Sequence, residues 1–144
     1  MHAHSLPSIL VPDALIKLAR KSADLGGRLY LVGGAVRDHL LGLQAKDWDL
    51  EVHGITPEMM PHICSTAKPV GKSYGVWKVL AHHSSKSFEL DISIPILENQ
   101  IVPFIGVDQA ALRRDLTINA IYYDILSKDY LDPTQGIEDL KSHT

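Results

Sequence analysis

The chain has 144 residues, of which 45% are hydrophobic, a formal net charge of −3 and a single cysteine, Cys64. This length supports one domain with a sizeable core rather than two, and the acidic balance excludes a global basic field that would draw the chain to nucleic acid. One cysteine excludes an internal disulfide framework and fits a reducing compartment. Because the amino-terminal residues lack a secretory-signal pattern and no apolar run reaches membrane-spanning length, we expect a cytoplasmic protein without a membrane partner.

The first predicted element is a helix that opens at Pro12-Asp13 and runs through Lys21. Its apolar residues recur at helical spacing, which predicts a stripe that packs on a sheet: Ala14, Leu15, Leu18 and Ala19. The following segment, 24–28, contains two glycines and predicts a turn into the first strand.

Residues 29–52 predict a compact strand, helix and strand. The strand Leu29 to Val32 leads through Gly33-Gly34 into a short helix, Ala35 to Leu41, and after Gly42 a second strand covers Trp48 to Val52. A glycine pair between a strand and a helix is typical of phosphate binding, since free N–H groups and the helix dipole favour an anion there. Arg37 adds a forked cation suited to phosphate oxygens.

Two acids flank the start of the second strand. Asp47 and Asp49 are two residues apart, so on a strand both carboxylates project from one face while Trp48 points to the other. Aligned carboxylates can hold Mg²⁺, which takes its remaining ligands from water and substrate phosphates. Each feature alone is more often an ordinary turn or an exposed strand face, but together they indicate chemistry on a nucleoside triphosphate.

The run Gly33-Gly34-Ala35-Val36-Arg37-Asp38, followed by Asp47-Trp48-Asp49, resembles the G-G-x-V-R-D and D-x-D signature of a known family. This is the family of tRNA nucleotidyltransferases and bacterial poly(A) polymerases, the class II branch of the polymerase-β-like nucleotidyltransferases. The resemblance implies an α+β fold, with a mixed β-sheet and helices packed on one face.

The middle of the chain predicts further strands. Thr56 and Pro57 are typical of a helix start, and a short helix should reach about Cys64. Gly71-Lys72-Ser73 is not a P-loop, because Thr66 stands where the first glycine is required. The segment 70–80 instead resembles the family's glycine-aromatic-glycine hairpin, and residues 81–87 predict a polar hairpin turn.

The strand predicted from Phe88 to Pro95 offers a third carboxylate. Its alternation places Glu89, Asp91 and Ser93 on one face. The alternation alone admits either Glu89 or Asp91, whereas the resemblance implies Asp91. The family's arginine after Pro95 is replaced by Ile96, and residues 98–108 predict an irregular loop beside the active face.

A helix predicted from Ala110 to Ile121 carries the second strong motif. Its string, residues 113–120, resembles the family's R-R-D-F-T-x-N-A motif, with Leu116 in place of phenylalanine. A double arginine near an aspartate could also be a solvated helix face. The resemblance implies that four of these residues line the nucleotide pocket: Arg113, Arg114, Asp115 and Asn119.

The last segment predicts a hairpin, Tyr122 to Leu126 with Tyr130 to Leu131, and then a turn, 132–136. The turn and the residues after it resemble the family's D-P-x-x-G-x-x-D-L segment, which joins the head domain to the neck. The resemblance therefore implies a single head domain over 1–144, with a tail and helix at 1–24, a catalytic core at 25–141, and the neck, body and tail domains absent.

The resemblance also implies a function, template-independent addition of CMP and AMP from CTP and ATP to the 3′ end of tRNA, with release of pyrophosphate. The implied metal ligands for two Mg²⁺ ions, with Mn²⁺ as the alternative ion, are Asp47, Asp49 and Asp91. The implied nucleotide-binding residues are Gly33, Gly34, Arg37, Arg113, Arg114, Asp115 and Asn119. The RNA would be held mostly by regions missing from this chain. Alternatives are poly(A) synthesis, CC- or A-only addition, or an inactive nucleotide-binding module.

Overall fold

The structure, a computed structural model, describes residues 6–43, 48–70, 75–83, 86–97, 100–111 and 120–142. The helices are α1 (Asp13–Asp24), α2 (Gly34–Leu40), α3 (Met60–Ile63, after a 3₁₀ turn at Pro57–Met59), α4 (Val107–Ala111) and α5 (Gly136–Ser142). The strands are β1 (Arg28–Leu31), β2 (Asp49–His53), β3 (Lys68–Val70), β4 (Val76–His83), β5 (Lys86–Ser93), β6 (Ile96–Leu97), β7 (Gln100–Ile101), β8 (Tyr122–Asp124) and β9 (Tyr130–Leu131).

The centre of the described fold is a seven-stranded sheet in the order β3-β4-β5-β2-β1-β8-β9. β2 and β5 pair in parallel, while the other neighbouring strands pair antiparallel. β6 and β7 form a separate two-stranded ribbon. The expected mixed sheet with helices is therefore confirmed, and a parallel pair at its middle requires the long connection that carries β3 and β4.

The main core lies between α1 and one face of the sheet. Leu15 and Leu18 of α1 are buried together with Leu31, Leu50 and Ile92 of the central strands. This is the stripe that the helical spacing predicts. Burying side chains of this kind stabilises a fold by roughly 1.5–3 kcal/mol each, so the stripe fixes the helix on the sheet.

A smaller core covers part of the opposite face. Tyr30 and Val32, which alternate with the main-core residues of β1, pack with Tyr122 against Ala110 and Ala111 of α4. Successive side chains of a strand point to opposite faces, so this cluster lies across the sheet from α1. α4 therefore holds the chain against the face that Asp49 and Asp91 share.

Tyrosines of the last hairpin hold the segment before α1. The hydroxyl of Tyr123 accepts a hydrogen bond from the backbone N–H of Ile9 at 3.1 Å, and the hydroxyl of Tyr130 donates to the carbonyl of Pro7 at 2.7 Å. The two tyrosine rings contact each other with centroids 4.9 Å apart. The amino-terminal segment is thus attached to β8 and β9.

Several predicted boundaries were wrong. α1 ends three residues later than expected, because N–H groups of Gly26 and Gly27 cap it by bonding to Ala23 and Ser22. The expected polar turn at 81–87 is mostly strand, since Ala81 is buried and pairs with Phe88. The segment 98–108 is not wholly irregular, as it contains β7 and the start of α4.

The predicted helix at 110–121 is only partly described. α4 starts earlier, at Val107, and the chain is not helical at Ala120 and Ile121. Residues 112–119, which include Arg113, Arg114, Asp115 and Asn119, lie outside the described residues. Thr56 precedes the 3₁₀ turn as expected but makes no side-chain cap. No helix in the described part of the chain has the length and apolarity needed to cross a membrane.

Candidate active site

The site begins at the turn between β1 and α2. Gly33 has φ +66°, a backbone conformation that residues with a side chain rarely adopt, and it precedes the first residue of α2, Gly34. A Cβ at Gly34 would lie 3.1 Å from Nη2 of Arg37, closer than an ordinary contact. The two glycines therefore allow the tight turn and leave room for the arginine beside the helix start.

Arg37 faces this turn with a partly exposed side chain. Its Nε donates to Oδ1 of Asp38 at 3.2 Å, and the two side chains are 33% and 27% exposed. This neighbouring carboxylate holds the guanidinium at the helix start, and a forked guanidinium of this kind is suited to phosphate oxygens. α2 ends at Leu40, and just beyond it the N–H groups of Gly42 and Leu43 bond to the carbonyls of His39 and Asp38.

Asp49 lies directly beside the glycine turn. The N–H of Val32, the residue before Gly33, donates to the carbonyl of Asp49 at 3.0 Å. Asp49 is exposed, whereas Leu50 after it is buried. The strand alternation thus turns the aspartate toward solvent on the side of the sheet away from α1.

Asp91 is the register partner of Asp49 across the parallel pair of β2 and β5. It is exposed, and its neighbours Leu90 and Ile92 are buried in the main core. Partners in a ladder point to the same face, so the two carboxylates project side by side.

Glu89, the alternative third acid, has a different environment. Its Oε1 lies 3.4 Å from Nζ of Lys78, and both side chains are more than half exposed. Its partner across β4 is Leu80. The register therefore favours Asp91 over Glu89 as the acid beside Asp49. In the described part of the chain no group of three or more His, Cys, Asp or Glu could hold a metal ion, and Asp47 lies outside that part.

A buried polar network, which the sequence analysis missed, continues from Asp49 along the same face. Oε1 of Glu51 lies 2.7 Å from Nε2 of His53 and accepts a hydrogen bond from the hydroxyl of Tyr122 at 2.8 Å. Glu51 and His53 are 6% and 8% exposed. The signal available in the sequence was the period of two, since Asp49, Glu51 and His53 must share one face of β2.

His53 also connects this network to the chain that leads into α4. Its Nδ1 lies 3.2 Å from the carbonyl of Ile105, and the N–H of Gly54 donates to the carbonyl of Pro103 at 2.6 Å. The strand that carries Asp49 is thereby tied to the segment before α4.

Tyr30 closes the network from β1. Its ring meets the rings of His53 and Tyr122 edge to face, with centroids 5.2 and 5.6 Å apart. Burial raises the pKa of the Tyr30 hydroxyl, and the carboxylate of Asp124 raises it further, while Arg28 opposes this effect. Tyr30 therefore stays neutral. It packs against His53 and Tyr122 on the face of the sheet that Asp49 shares.

Comparison with known proteins places the chain in a family. Residues 29–144 match the model of the family described as the Poly A polymerase head domain. The chain belongs to this family. The match starts within β1, the strand before the glycine pair, so it contains every residue of the candidate site.

Head domains of this family occur in longer proteins. The chain is 40% identical over 129 residues to the multifunctional CCA protein of Mannheimia succiniciproducens, and 37% identical over 120 residues to that of Nitrosomonas europaea. Each match covers 80% of this chain and 28% of the relative. The chain therefore spans less than a third of the length of these relatives.

Solved structures show the same head-domain fold. The CCA-adding enzyme of Bacillus stearothermophilus in complex with CTP is 25% identical, with a TM-score of 0.74 over 92% of this chain and 32% of that one. A tRNA nucleotidyltransferase complexed with a primer tRNA and an incoming ATP analogue is 25% identical, with a TM-score of 0.66 over 86% of this chain and 36% of that one.

Proposed function

We propose that this head domain catalyses template-independent nucleotidyl transfer, adding CMP and AMP from CTP and ATP to the 3′ end of tRNA and releasing pyrophosphate. The observation that carries the proposal is the position of Asp49, which is the register partner of Asp91 and lies beside the Gly33-Gly34 turn. The relatives named multifunctional CCA proteins, and the solved complexes with CTP, an ATP analogue and tRNA, support it.

The paired carboxylates fit a divalent cation. Asp49 and Asp91 are exposed and project side by side, and hard cations such as Mg²⁺ prefer carboxylate oxygens with water and phosphate as further ligands. We assign the same role to Asp47 and propose two Mg²⁺ ions, with Mn²⁺ as the alternative. Bound there, the cations would lower the pKa of an RNA 3′-hydroxyl and stabilise the leaving pyrophosphate.

The remaining site residues position the nucleotide. Gly33 and Gly34 let the triphosphate approach the backbone, and Arg37 donates to its oxygens. Arg113 neutralises charge that gathers on the triphosphate in the transition state. We assign Arg114 and Asp115 to contacts with the triphosphate and ribose, and Asn119 to their support. We propose that residues 25–141 form the catalytic core of one head domain, and that it works in the cytoplasm, where the free thiol of Cys64 is stable.

The test uses the full-length protein with labelled CTP or ATP. A tRNA lacking its CCA end should accept both nucleotides, whereas a generic RNA should accept neither, and Asp49→Ala should abolish incorporation while the protein stays folded. Addition of AMP alone to any RNA would indicate poly(A) synthesis instead. Addition of only CMP or only AMP to tRNA would indicate a CC- or A-only adding enzyme. Metal-dependent triphosphate binding without any incorporation would overturn the proposal in favour of an inactive binding module.

A further inference from the structure

A row of four charged residues crosses the sheet at the level of the proposed metal ligands. Asp49 is the register partner of Asp91, Asp91 is the partner of Lys78 on β4, and Lys78 is the partner of Lys68 on β3. Register partners point to the same face of a sheet. Two lysines therefore continue the row of carboxylates on the face where the chemistry is proposed.

This part of the sheet face is open to solvent. Lys68, Lys78 and Leu80 are exposed, whereas Trp77, which alternates with Lys78, packs against the main core on the other face. The contact of Lys78 with Glu89 joins two side chains that are 56% and 72% exposed. Exposed ion pairs of this kind contribute little, so a phosphate can replace the carboxylate at low cost.

The strand order places the proposed triphosphate site and the two lysines on opposite sides of β2. The Gly33-Gly34 turn and Arg37 follow β1, which neighbours β2 on one side, while β5, β4 and β3 extend from the other side of β2. A displacement at phosphorus keeps the attacking oxygen and the leaving group roughly in line, on opposite sides of the transferred phosphoryl group. With the triphosphate on the β1 side, the RNA 3′-hydroxyl approaches from the side of β4 and β3.

We propose that Lys78 and Lys68 bind backbone phosphates of the RNA strand whose 3′ end is extended, so that the face of β4 and β3 is the path of the RNA. The proposal rests on the proposed nucleotidyl transfer. Neighbouring strands are about 4.8 Å apart, so the two lysines lie about 5 and 10 Å from Asp91 along the row, within reach of the terminal phosphates. In a chain of net charge −3, such a local pair of cations provides attraction that the global charge does not.

The experiment removes both charges in the full-length protein, as Lys68→Gln with Lys78→Gln. The matched control is Lys17→Gln with Lys21→Gln, which removes two exposed lysines of α1 on the opposite face of the sheet. We expect the site variant to raise the KM for tRNA at least about fivefold. The plot of the log of the tRNA binding constant against the log of salt concentration should become less steep, by about 1 to 2. The KM for CTP should change less than twofold, and Lys→Arg changes at both positions should restore RNA binding.

Direct binding of fluorescently labelled tRNA, measured by anisotropy, separates failure of this proposal from failure of the proposed function. Weaker tRNA binding by the site variant than by the α1 control supports the RNA path even if no incorporation is seen. Equal tRNA binding by the two variants, with equal thermal melting, overturns it. A raised KM for CTP with unchanged tRNA binding also overturns it, because the lysines would then contact the triphosphate.

Discussion

Asp49 and Asp91 are register partners across a parallel strand pair, and each is exposed while the residue after it is buried. Leu50 and Ile92, the next partners in the same ladder, are 1% and 0% exposed. The core thus fixes the register that aligns the two carboxylates, since a slip by one residue would bury an aspartate and expose a leucine.

The first prediction compares two acids of β5. Asp91→Asn should lower kcat/KM for nucleotide incorporation by at least about 100-fold, because it removes a carboxylate that we propose as a metal ligand. Glu89→Gln is the matched control, since it neutralises an exposed acid two residues away on the same face. Steady-state incorporation assays measure both. A larger loss for Glu89→Gln than for Asp91→Asn would assign the third carboxylate to Glu89.

The second prediction concerns Gly75, the residue before β4. Gly75 has φ +65°, and a Cβ there would lie 2.8 Å from the carbonyl oxygen of Ile94, so Gly75→Ala should destabilise the fold by about 2–4 kcal/mol. Gly106→Ala, where a Cβ would meet no atom within 4 Å, should change the free energy of unfolding by less than about 1 kcal/mol. Urea denaturation measures both. Equal changes in the free energy of unfolding for the two variants would show that the backbone at Gly75 adapts to a side chain.

The third prediction tests the buried network. Glu51→Ala should cost about 3–5 kcal/mol of stability, because His53 and Tyr122 lose the carboxylate they share. Tyr122→Phe removes one hydrogen bond and should cost about 1 kcal/mol. Glu58→Ala, at an exposed acid, should change stability by less than about 0.5 kcal/mol. Thermal and urea unfolding measure these changes, and a loss for Glu51→Ala no larger than for Glu58→Ala would contradict the network.

The fourth prediction is a loss of stability at alkaline pH. Burial, with a smaller effect of Tyr123, raises the pKa of Tyr130 from 10.0 to about 12. The unfolded chain therefore releases this proton first, so the contribution of Tyr130 is fully present below pH 10 and is lost as pH rises toward 12. The loss should reach about 1.4 kcal/mol per pH unit in this window.

Urea denaturation between pH 9 and 11.5 tests this dependence, with Tyr130→Phe as the reference. The phenylalanine variant loses the hydrogen bond to Pro7 but has no hydroxyl to ionise, so its stability should fall less steeply. If the free energy of unfolding falls equally steeply with pH in the two proteins, the Tyr130 hydroxyl has the same pKa in the folded and unfolded states. The absorbance of ionised tyrosine in the folded protein, compared with that of folded Tyr130→Phe, separates this group from the other tyrosines of the chain.

Local patterns predicted the elements that carry the site. The period of two on β5 gave the exposed position of Asp91 and the burial of Leu90 and Ile92, and the glycine pair gave the turn into α2. These features depend on residues close together in the chain. The same local reasoning left Glu89 and Asp91 as alternatives, because only the pairing of β5 with β2 distinguishes them.

Features that depend on distant residues could not be predicted. Glu51 and Tyr122 are 71 residues apart, and nothing in the sequence near either residue indicates that they bond. The extension of β4 and β5 into both ends of the expected polar turn arises in the same way, since cross-strand pairing with Phe88 stabilises Ala81 as a strand residue. The row of Asp49, Asp91, Lys78 and Lys68 likewise depends on the register of three strand pairs, which no local pattern specifies.

The attachment of the amino-terminal segment to β8 and β9 has a consequence for biosynthesis. Ile9 and Tyr123 are 114 residues apart, and Pro7 and Tyr130 are 123 residues apart. On the ribosome, the two tyrosines that bond to this segment emerge only after most of these 144 residues have been synthesised. Contacts of such long range form slowly and leave apolar surface exposed meanwhile, so we expect the nascent domain to depend on chaperones until its last hairpin is released.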